Sequence, residues 1–94
     1  MRIARKMDSF KLTIITPQET LVDQEDIQSI NLKTIAGEMT ALKNHAPILT
    51  SLSPGKLHFT NDGSNFKFVS VDSGIVQINK LGVTIIANFA EFSK

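Results

Sequence analysis

Apolar and polar residues alternate along most of the chain, which is the pattern of strands that bury one face and expose the other. Phe10, Leu12 and Ile14 alternate with polar residues until Thr16 and Pro17, where proline removes a donor from the strand ladder. Further apolar runs with this pattern begin at Ile30, Leu57, Phe66, Ile75 and Val83. Short strands at this spacing predict an all-β domain, either a sandwich or a barrel.

Polar segments between these runs predict the turns. Residues 61–65 contain Asp62 followed by Gly63, a pair that favours a β-hairpin between the runs on either side. In the turn at residues 72–74, we expect Asp72 to accept backbone hydrogen bonds and Gly74 to take a backbone angle closed to other residues. Residues 24–26, of which Glu25 and Asp26 are acidic, are interpreted as a further turn.

The length of 94 residues indicates one domain, and its 41% hydrophobic and 20% charged residues suit a compact core. We divide it into a basic N-terminal arm over residues 1–9, a β domain over 10–90 and a tail over 91–94. No apolar run is long enough to cross a bilayer and no secretion signal follows the basic start, so a cytosolic location is expected. A net charge of +1 gives no strong field for nucleic acid or an anionic membrane.

Candidate catalytic chemistry is sparse. His45 and His58 are the only histidines, there is no cysteine, and no carboxylates stand at metal-ligand spacing. Ser73 lacks the Gly-x-Ser-x-Gly context of a nucleophile elbow, and the glycines stand singly rather than in a phosphate loop. We therefore predict no catalytic residue, no bound metal and no cofactor.

Two kinds of binding surface remain possible from the residues alone. Phe59, Phe66 and Phe68 could form a platform that stacks bases of single-stranded nucleic acid, helped by the basic arm. Phenylalanines that alternate with polar residues are more often core, however, and the residues between them do not form a basic stripe.

The second candidate surface follows Pro47, which fixes its own φ and biases Ala46 toward an extended form. An apolar strand edge that is ordered in advance suits a permanent protein contact. Ile48, Leu49 and Leu52 could equally fill the core, and their spacing does not distinguish these alternatives.

The segment from His45 to Thr50, followed by Pro54 and Gly55, resembles the most recognisable motif of the epsilon subunit of F-type ATP synthases. Four further segments resemble that family in the same order: residues 10–17, 37–39, 73–78 and 83–88. The resemblance implies the N-terminal domain of that subunit, a β-sandwich of about ten short strands in two sheets.

The resemblance also implies a function. Epsilon is a non-catalytic rotor subunit of the central stalk, which binds the gamma subunit and helps couple rotation to ATP synthesis or hydrolysis. It is assembled with alpha and beta subunits, touches the c-subunit ring, and is peripheral on the cytoplasmic side of the membrane without inserting into it. Carried over to this chain, the gamma interface is Thr16, His45, Ala46, Leu49 and Thr50, and the ring-facing loop contains Glu38 and Lys43.

Two departures from the family pattern have consequences. Thr40, Lys43 and Asn44 replace the glycine, proline and glycine of the family's ring-facing loop, which changes its backbone freedom and adds a positive charge. Because the sequence stops at Lys94, we expect a short form without the family's C-terminal helical hairpin. An alternative is an epsilon-like subunit of an ATPase motor that is not coupled to a proton ring and is cytosolic.

Overall fold

The computed structural model describes residues 9–43 and 46–93, which form ten strands and no helix. The strands are β1 Phe10–Ile15, β2 Thr20–Ile27, β3 Ser29–Thr34, β4 Gly37–Leu42, β5 Ile48–Leu52, β6 Gly55–Thr60, β7 Phe66–Val71, β8 Gly74–Asn79, β9 Gly82–Ala87 and β10 Ala90–Ser93. The all-β prediction is confirmed, as is the number of strands that the family resemblance implied.

The strands form two layers that meet at one corner. The first sheet has the order β4-β3-β6-β7-β10, and the second has the order β5-β8-β9-β1-β2. They join where Thr34 of β3 pairs with Leu52 of β5, and Ile35 donates its N–H to the carbonyl of Ser51 at 3.2 Å. β1 and β9 are parallel, whereas the other pairs are antiparallel. This is the sandwich that the family resemblance implied, and one of the two architectures that the spacing of the strands predicted.

The core lies between the two sheets and takes alternate side chains from their strands. In β1, Phe10, Leu12 and Ile14 are buried, while Lys11 is exposed on the other side. The largest side chains with almost no exposure are Phe59, Leu12, Ile14, Ile27, Ile30, Leu32, Leu57 and Ile85. Burial of alternate residues confirms the period of two, and at about 25 cal/mol per Å² of apolar area it is the main stabilising contribution.

The turn predicted at residues 24–26 is wrong, because these residues belong to β2. Leu12 pairs with Glu25 but Ile14 pairs with Val22, so β2 contains extra residues that form a bulge. Gln24 takes a φ of 51° there, and its N–H donates to the Thr13 hydroxyl. Acidic residues have low strand propensity, but pairing with β1 outweighs it on this edge strand.

The hairpin predicted at residues 61–65 is confirmed and joins β6 to β7. Gly63 has a φ of 83°, which glycine adopts without strain. The Asp62 carboxylate accepts the backbone N–H groups of Ser64 and Asn65 at 2.8 Å each. These bonds hold the turn closed.

The turn before β8 has the predicted role for Asp72, which accepts the N–H of Ser73 at 2.8 Å. The prediction that Gly74 takes a backbone angle closed to other residues is wrong, because Gly74 does not have a positive φ. A β-carbon at Gly74 would overlap the carbonyl oxygen of Ile86 and lie 2.7 Å from the Cα of Ala87. Glycine is therefore required here by the close approach of β8 and β9.

The last strand, β10, pairs with β7 from Ala90 to Ser93. It lies across the boundary that the sequence placed at residue 90 between the β domain and the tail. Short and on the edge of the sheet, β10 gains its order from the pairing with β7 rather than from its own sequence.

Candidate docking surface

Leu49 is the clearest exposed apolar residue of the segment that the sequence singled out. It lies in β5 opposite Gln77 and is 72% exposed, whereas Ile48 is half-buried and Leu52 is 2% exposed. The two alternatives for this segment therefore apply to different residues. Leu52 fills the core with Ile48 packed against it, and Leu49 points to solvent.

Neighbouring strands place isoleucines on the same side as Leu49. Ile75 of β8 pairs with Ile86 of β9, which lies beside Ile15 of β1 in the parallel register. Ile75 and Ile86 are 52% and 53% exposed, and Ile15 is half-buried. Adjacent strands are about 4.8 Å apart, so Ile15, Ile86 and Ile75 form an apolar row in register. Leu49 lies diagonally next to Ile75, whose direct partner on β5 is Ser51. We call Ile15, Leu49, Ile75 and Ile86 the aliphatic face.

A shallow hollow lies at one end of the aliphatic face. It has a volume of about 340 Å³ and is lined by Ile35, Leu49, Thr50, Ser51 and Ile75. Ile35 belongs to the turn between β3 and β4 and is 75% exposed. The turn of the first sheet thus extends the apolar surface of the second.

The three strands at the centre of this face carry no charged residue. The sequences of β5, β8 and β9 are ILTSL, GIVQIN and GVTIIA. Between the apolar side chains, the outward positions hold Ser51, Gln77 and Thr84, which are neutral. A partner could therefore cover this surface without removing water from a charged group. Such desolvation is a main cost of forming polar interfaces.

The other residues assigned to the gamma interface by resemblance lie in different environments. Ala46 is exposed just before β5, and Thr50 is half-buried on the core side at the wall of the hollow. Thr16 is 7% exposed, and its hydroxyl accepts the N–H groups of Gln18 and Glu19 at 3.3 and 3.2 Å. The structure thus gives Thr16 an internal role in the turn after β1. His45 lies outside the described residues.

The two residues assigned to the ring-facing loop lie at opposite ends of β4. Glu38 is exposed within the strand and opposite Lys33, and Lys43 is exposed directly after it. Five residues of strand separate them by about 17 Å, so they do not form one compact site. β4 was not predicted as a strand, and it is ordered by its pairing with β3 along its whole length.

The outer side of the first sheet has an aromatic cluster. The ring of His58 contacts Phe66 with ring centroids 5.6 Å apart and Phe68 with centroids 5.3 Å apart. We call these three residues the aromatic face. Phe59 is 1% exposed and belongs to the core, so the platform of three phenylalanines that the sequence left possible does not form.

Metal-ligating clusters and membrane-spanning helices are absent from the residues that the structure describes. Across residues 9–43 and 46–93, no three histidine, cysteine or acidic residues come together in a group that could hold a metal ion. Over the same ranges, no helix has the length and apolar character needed to cross a membrane.

The fold is a small β-sandwich domain with an exposed aliphatic face on one sheet. Residues 9–93 match the family described as the ATP synthase, delta/epsilon chain, β-sandwich domain. The chain belongs to this family.

Similar proteins agree with that assignment. The chain is 34% identical over 88 residues to the ATP synthase epsilon chain of Symbiobacterium thermophilum, covering 94% of this chain and 63% of the relative. It is 38% identical over 81 residues to the epsilon chain of Pelotomaculum thermopropionicum, covering 86% and 59%. The chain thus spans about three fifths of the length of these relatives.

A solved structure shows the same fold. It is a chain in the cryo-EM structure of Euglena gracilis mitochondrial ATP synthase, described as OSCP/F1/c-ring in rotational state 1. It matches with a TM-score of 0.84 and 27% identity, covering 89% of this chain and 53% of that one. A chain in the central stalk/c-ring structure of the Tetrahymena thermophila enzyme matches with a TM-score of 0.76 and 17% identity, which supports the fold alone.

Most of the candidate docking surface is not evident from the strand pattern of the sequence. Ile35, Ile75 and Ile86 were not recognised as exposed residues. A signal was present, because Ile48-Leu49, Ile75-Val76 and Ile85-Ile86 are adjacent apolar pairs within strands. Neighbours in a strand point to opposite faces, so such pairs indicate a strand that is apolar on both sides.

Proposed function

We propose that this protein is a non-catalytic subunit of the central stalk of an F-type ATP synthase or ATPase, and that it binds the gamma subunit through the aliphatic face. The observation that carries the proposal is the exposed row of Leu49, Ile75 and Ile86 on three strands without charges. Membership of the delta/epsilon family supports the identity of the complex. In this role the domain rotates with the shaft and helps couple rotation to ATP synthesis or hydrolysis.

The aliphatic face suits such a contact physically. A part that turns with a shaft needs a stiff body and a contact that dissociates slowly, and most differences in affinity between related complexes arise in the dissociation rate. Two hydrogen-bonded sheets around one core supply the stiffness. Exposed aliphatic side chains held in position by strands supply contact area with little entropy to lose on docking.

Among the residues implied by the family resemblance, Leu49 is proposed to touch gamma directly. Ala46 lies just before β5 and Thr50 lies within it, and both are proposed to lie at the margin of the contact, with His45 next to Ala46 in the sequence. Thr16 is proposed to act indirectly, by shaping the turn that follows Ile15 at the end of the aliphatic face.

The remaining partners follow from the assembly. Alpha and beta subunits are proposed to be part of the same complex, and the c-subunit ring is proposed to lie near β4, where Glu38 and Lys43 are exposed. The domain would then sit on the cytoplasmic side of the membrane as a peripheral part of the complex.

Co-expression with the gamma subunit of the same organism tests the proposal. The wild-type chain should co-elute with gamma on size-exclusion chromatography. Leu49→Asp should weaken the complex by about 100-fold or more, because an unpaired carboxylate would be buried in the contact. Since Leu49 is 72% exposed in the free domain, the melting temperature of the isolated variant should stay close to that of the wild type.

Phe66→Asp is the matched control, because it introduces the same charge at a 46% exposed apolar residue on the other sheet. We expect Phe66→Asp to bind gamma like the wild type. Two separately eluting proteins for the wild-type pair would contradict the proposed function. Equal weakening by both variants would contradict the assignment of the contact to the aliphatic face.

A further inference from the structure

Ile35 is an unusual residue for the place it occupies. It lies in a two-residue turn with Ala36, where polar residues and glycine are the common choice, and 75% of it is exposed. An aliphatic side chain that is exposed to water at a turn contributes no hydrophobic stabilisation to the isolated domain. It gains burial only if something covers it.

The turn holds Ile35 in a defined position. The Thr34 hydroxyl accepts the N–H of Ala36 at 3.1 Å and donates to the carbonyl of Gly37 at 2.9 Å. The N–H of Ile35 donates to Ser51 of β5 at 3.2 Å, which ties the turn to the second sheet. A contact made by Ile35 would therefore cost little ordering entropy.

The position of this turn creates the hollow at the end of the aliphatic face. Ile35 forms one wall, and Leu49 and Ile75 form the others, with Thr50 and Ser51 completing the lining. None of these side chains is charged, so the hollow offers no counter-ion to a charged or phosphorylated ligand. Its chemistry matches an aliphatic side chain, and its mouth is continuous with the row from Ile75 to Ile15.

We propose that this hollow receives one branched aliphatic side chain of the gamma subunit, and that Ile35 is an anchor residue of that contact. The inference rests on the proposed function and extends it. The turn between β3 and β4 becomes part of the surface that holds the shaft, although it belongs to the other sheet. A side chain that fills a pocket and is desolvated there can contribute much of the binding energy of an interface.

A matched control residue lies at the far end of β8 and β9 from the hollow. Leu81 is 80% exposed in the turn between β8 and β9, but its surroundings include Lys11, Gln24 and Asn79. Asn79, beside that turn, lies about 14 Å along β8 from Ile75. Leu81 is thus close to Ile35 in exposure and is also aliphatic, but it lies outside the hollow.

The test measures the affinity of purified gamma for the wild-type chain and for Ile35→Ser, Ile35→Val and Leu81→Ser. We expect Ile35→Ser to weaken binding by about tenfold or more, and Ile35→Val and Leu81→Ser to change it by less than about threefold. Ile35→Ser combined with Leu49→Ser should weaken binding by less than the product of the two single effects, because both residues contact the same inserted side chain.

A second measurement uses the absence of cysteine from the chain. An environment-sensitive dye on Ile35→Cys should shift its emission to shorter wavelength when gamma is added, and the same dye on Leu81→Cys should not.

The outcomes separate the two proposals. If the wild type binds gamma but Ile35→Ser binds equally well and the dye at residue 35 does not respond, the anchor is overturned and the proposed function stands. If the wild type does not bind gamma, both are overturned.

Discussion

The outer sides of the two sheets differ in the packing partners of their exposed apolar residues. On the aromatic face, Phe66 and Phe68 pack against His58 within the same sheet. On the aliphatic face, Leu49 and Ile75 remain 72% and 52% exposed, and a hollow separates them from Ile35. Phe66 and Phe68 remain 46% and 39% exposed but have an aromatic partner in their own sheet, whereas Leu49 and Ile75 have no ring contact of this kind among the described residues.

Charge separates the two sheets in the same way. Every strand of the first sheet carries a charged residue, namely Glu38, Lys33, Lys56, Lys67 and Glu91. In the second sheet, charges occur only in β1 and β2. Charged residues are depleted at the centre of protein interfaces, so the difference supports the proposal that the second sheet carries the gamma contact.

The largest expected effect tests whether the aliphatic face depends on the close approach of β8 and β9. In Gly74→Ala, the new methyl group would overlap backbone atoms of Ile86, which cannot move without parting the strands. We expect a loss of about 3 kcal/mol in the free energy of unfolding, measured by urea denaturation. Gln77→Ala, an exposed position on the same strand, should change it by less than about 0.5 kcal/mol. Equal stability of Gly74→Ala and the wild type would show that the two strands can separate freely.

An intermediate effect should distinguish the two faces directly. Phe68→Ala removes a ring that packs on His58 and should destabilise the fold by about 1 kcal/mol. The loss is moderated because the buried Nδ1 of His58, which has no hydrogen-bond partner in the described chain, would gain access to water. Leu49→Ala should leave the unfolding free energy within about 0.5 kcal/mol of the wild type, while only this variant weakens gamma binding. The reverse pattern would overturn the comparison.

The smallest effect concerns the hairpin beside the aromatic face. Hydrogen bonds from the backbone of Asn65 and of Ser64, and from the Asn65 side chain, hold the pKa of Asp62 well below its usual range. A lowered pKa in the folded state means that Asp62 stabilises the fold above about pH 4, and that this contribution is lost as the pH falls further. Asp62→Asn should therefore lose less stability than the wild type between about pH 4 and pH 2, as followed by thermal melting at each pH. Parallel pH profiles would show that the turn does not depend on the charge.

Much of the fold was predictable because alternation is a local signal. The period of two in β1, β3, β6 and β9 identified strands with one buried side, and Asp62 with Gly63 identified the hairpin. β2 and β4 were missed because their own residues favour strands weakly. They are ordered by pairing with β1 and β3, which supply the backbone partners.

The candidate site was predictable only in part. The segment around Leu49 was recognised because proline and apolar residues are adjacent in the sequence. The family resemblance also implied Thr16 and Thr50. In the structure, the side chain of Thr16 bonds within a local turn, and Thr50 lies on the core side of β5. Which side of a strand a residue occupies depends on register, and a shift of one residue would exchange the two faces.

The amino-acid sequence by itself determined that the chain forms short strands around an apolar core, and that β5, β8 and β9 are free of charge. Only the tertiary structure decided that these strands lie side by side and that β1 joins them in a parallel pair. It also brought Ile35 from the other sheet to the end of their row. The reason is that a docking surface is assembled from distant segments, and strand order and register, which set their positions, are properties of the whole sheet.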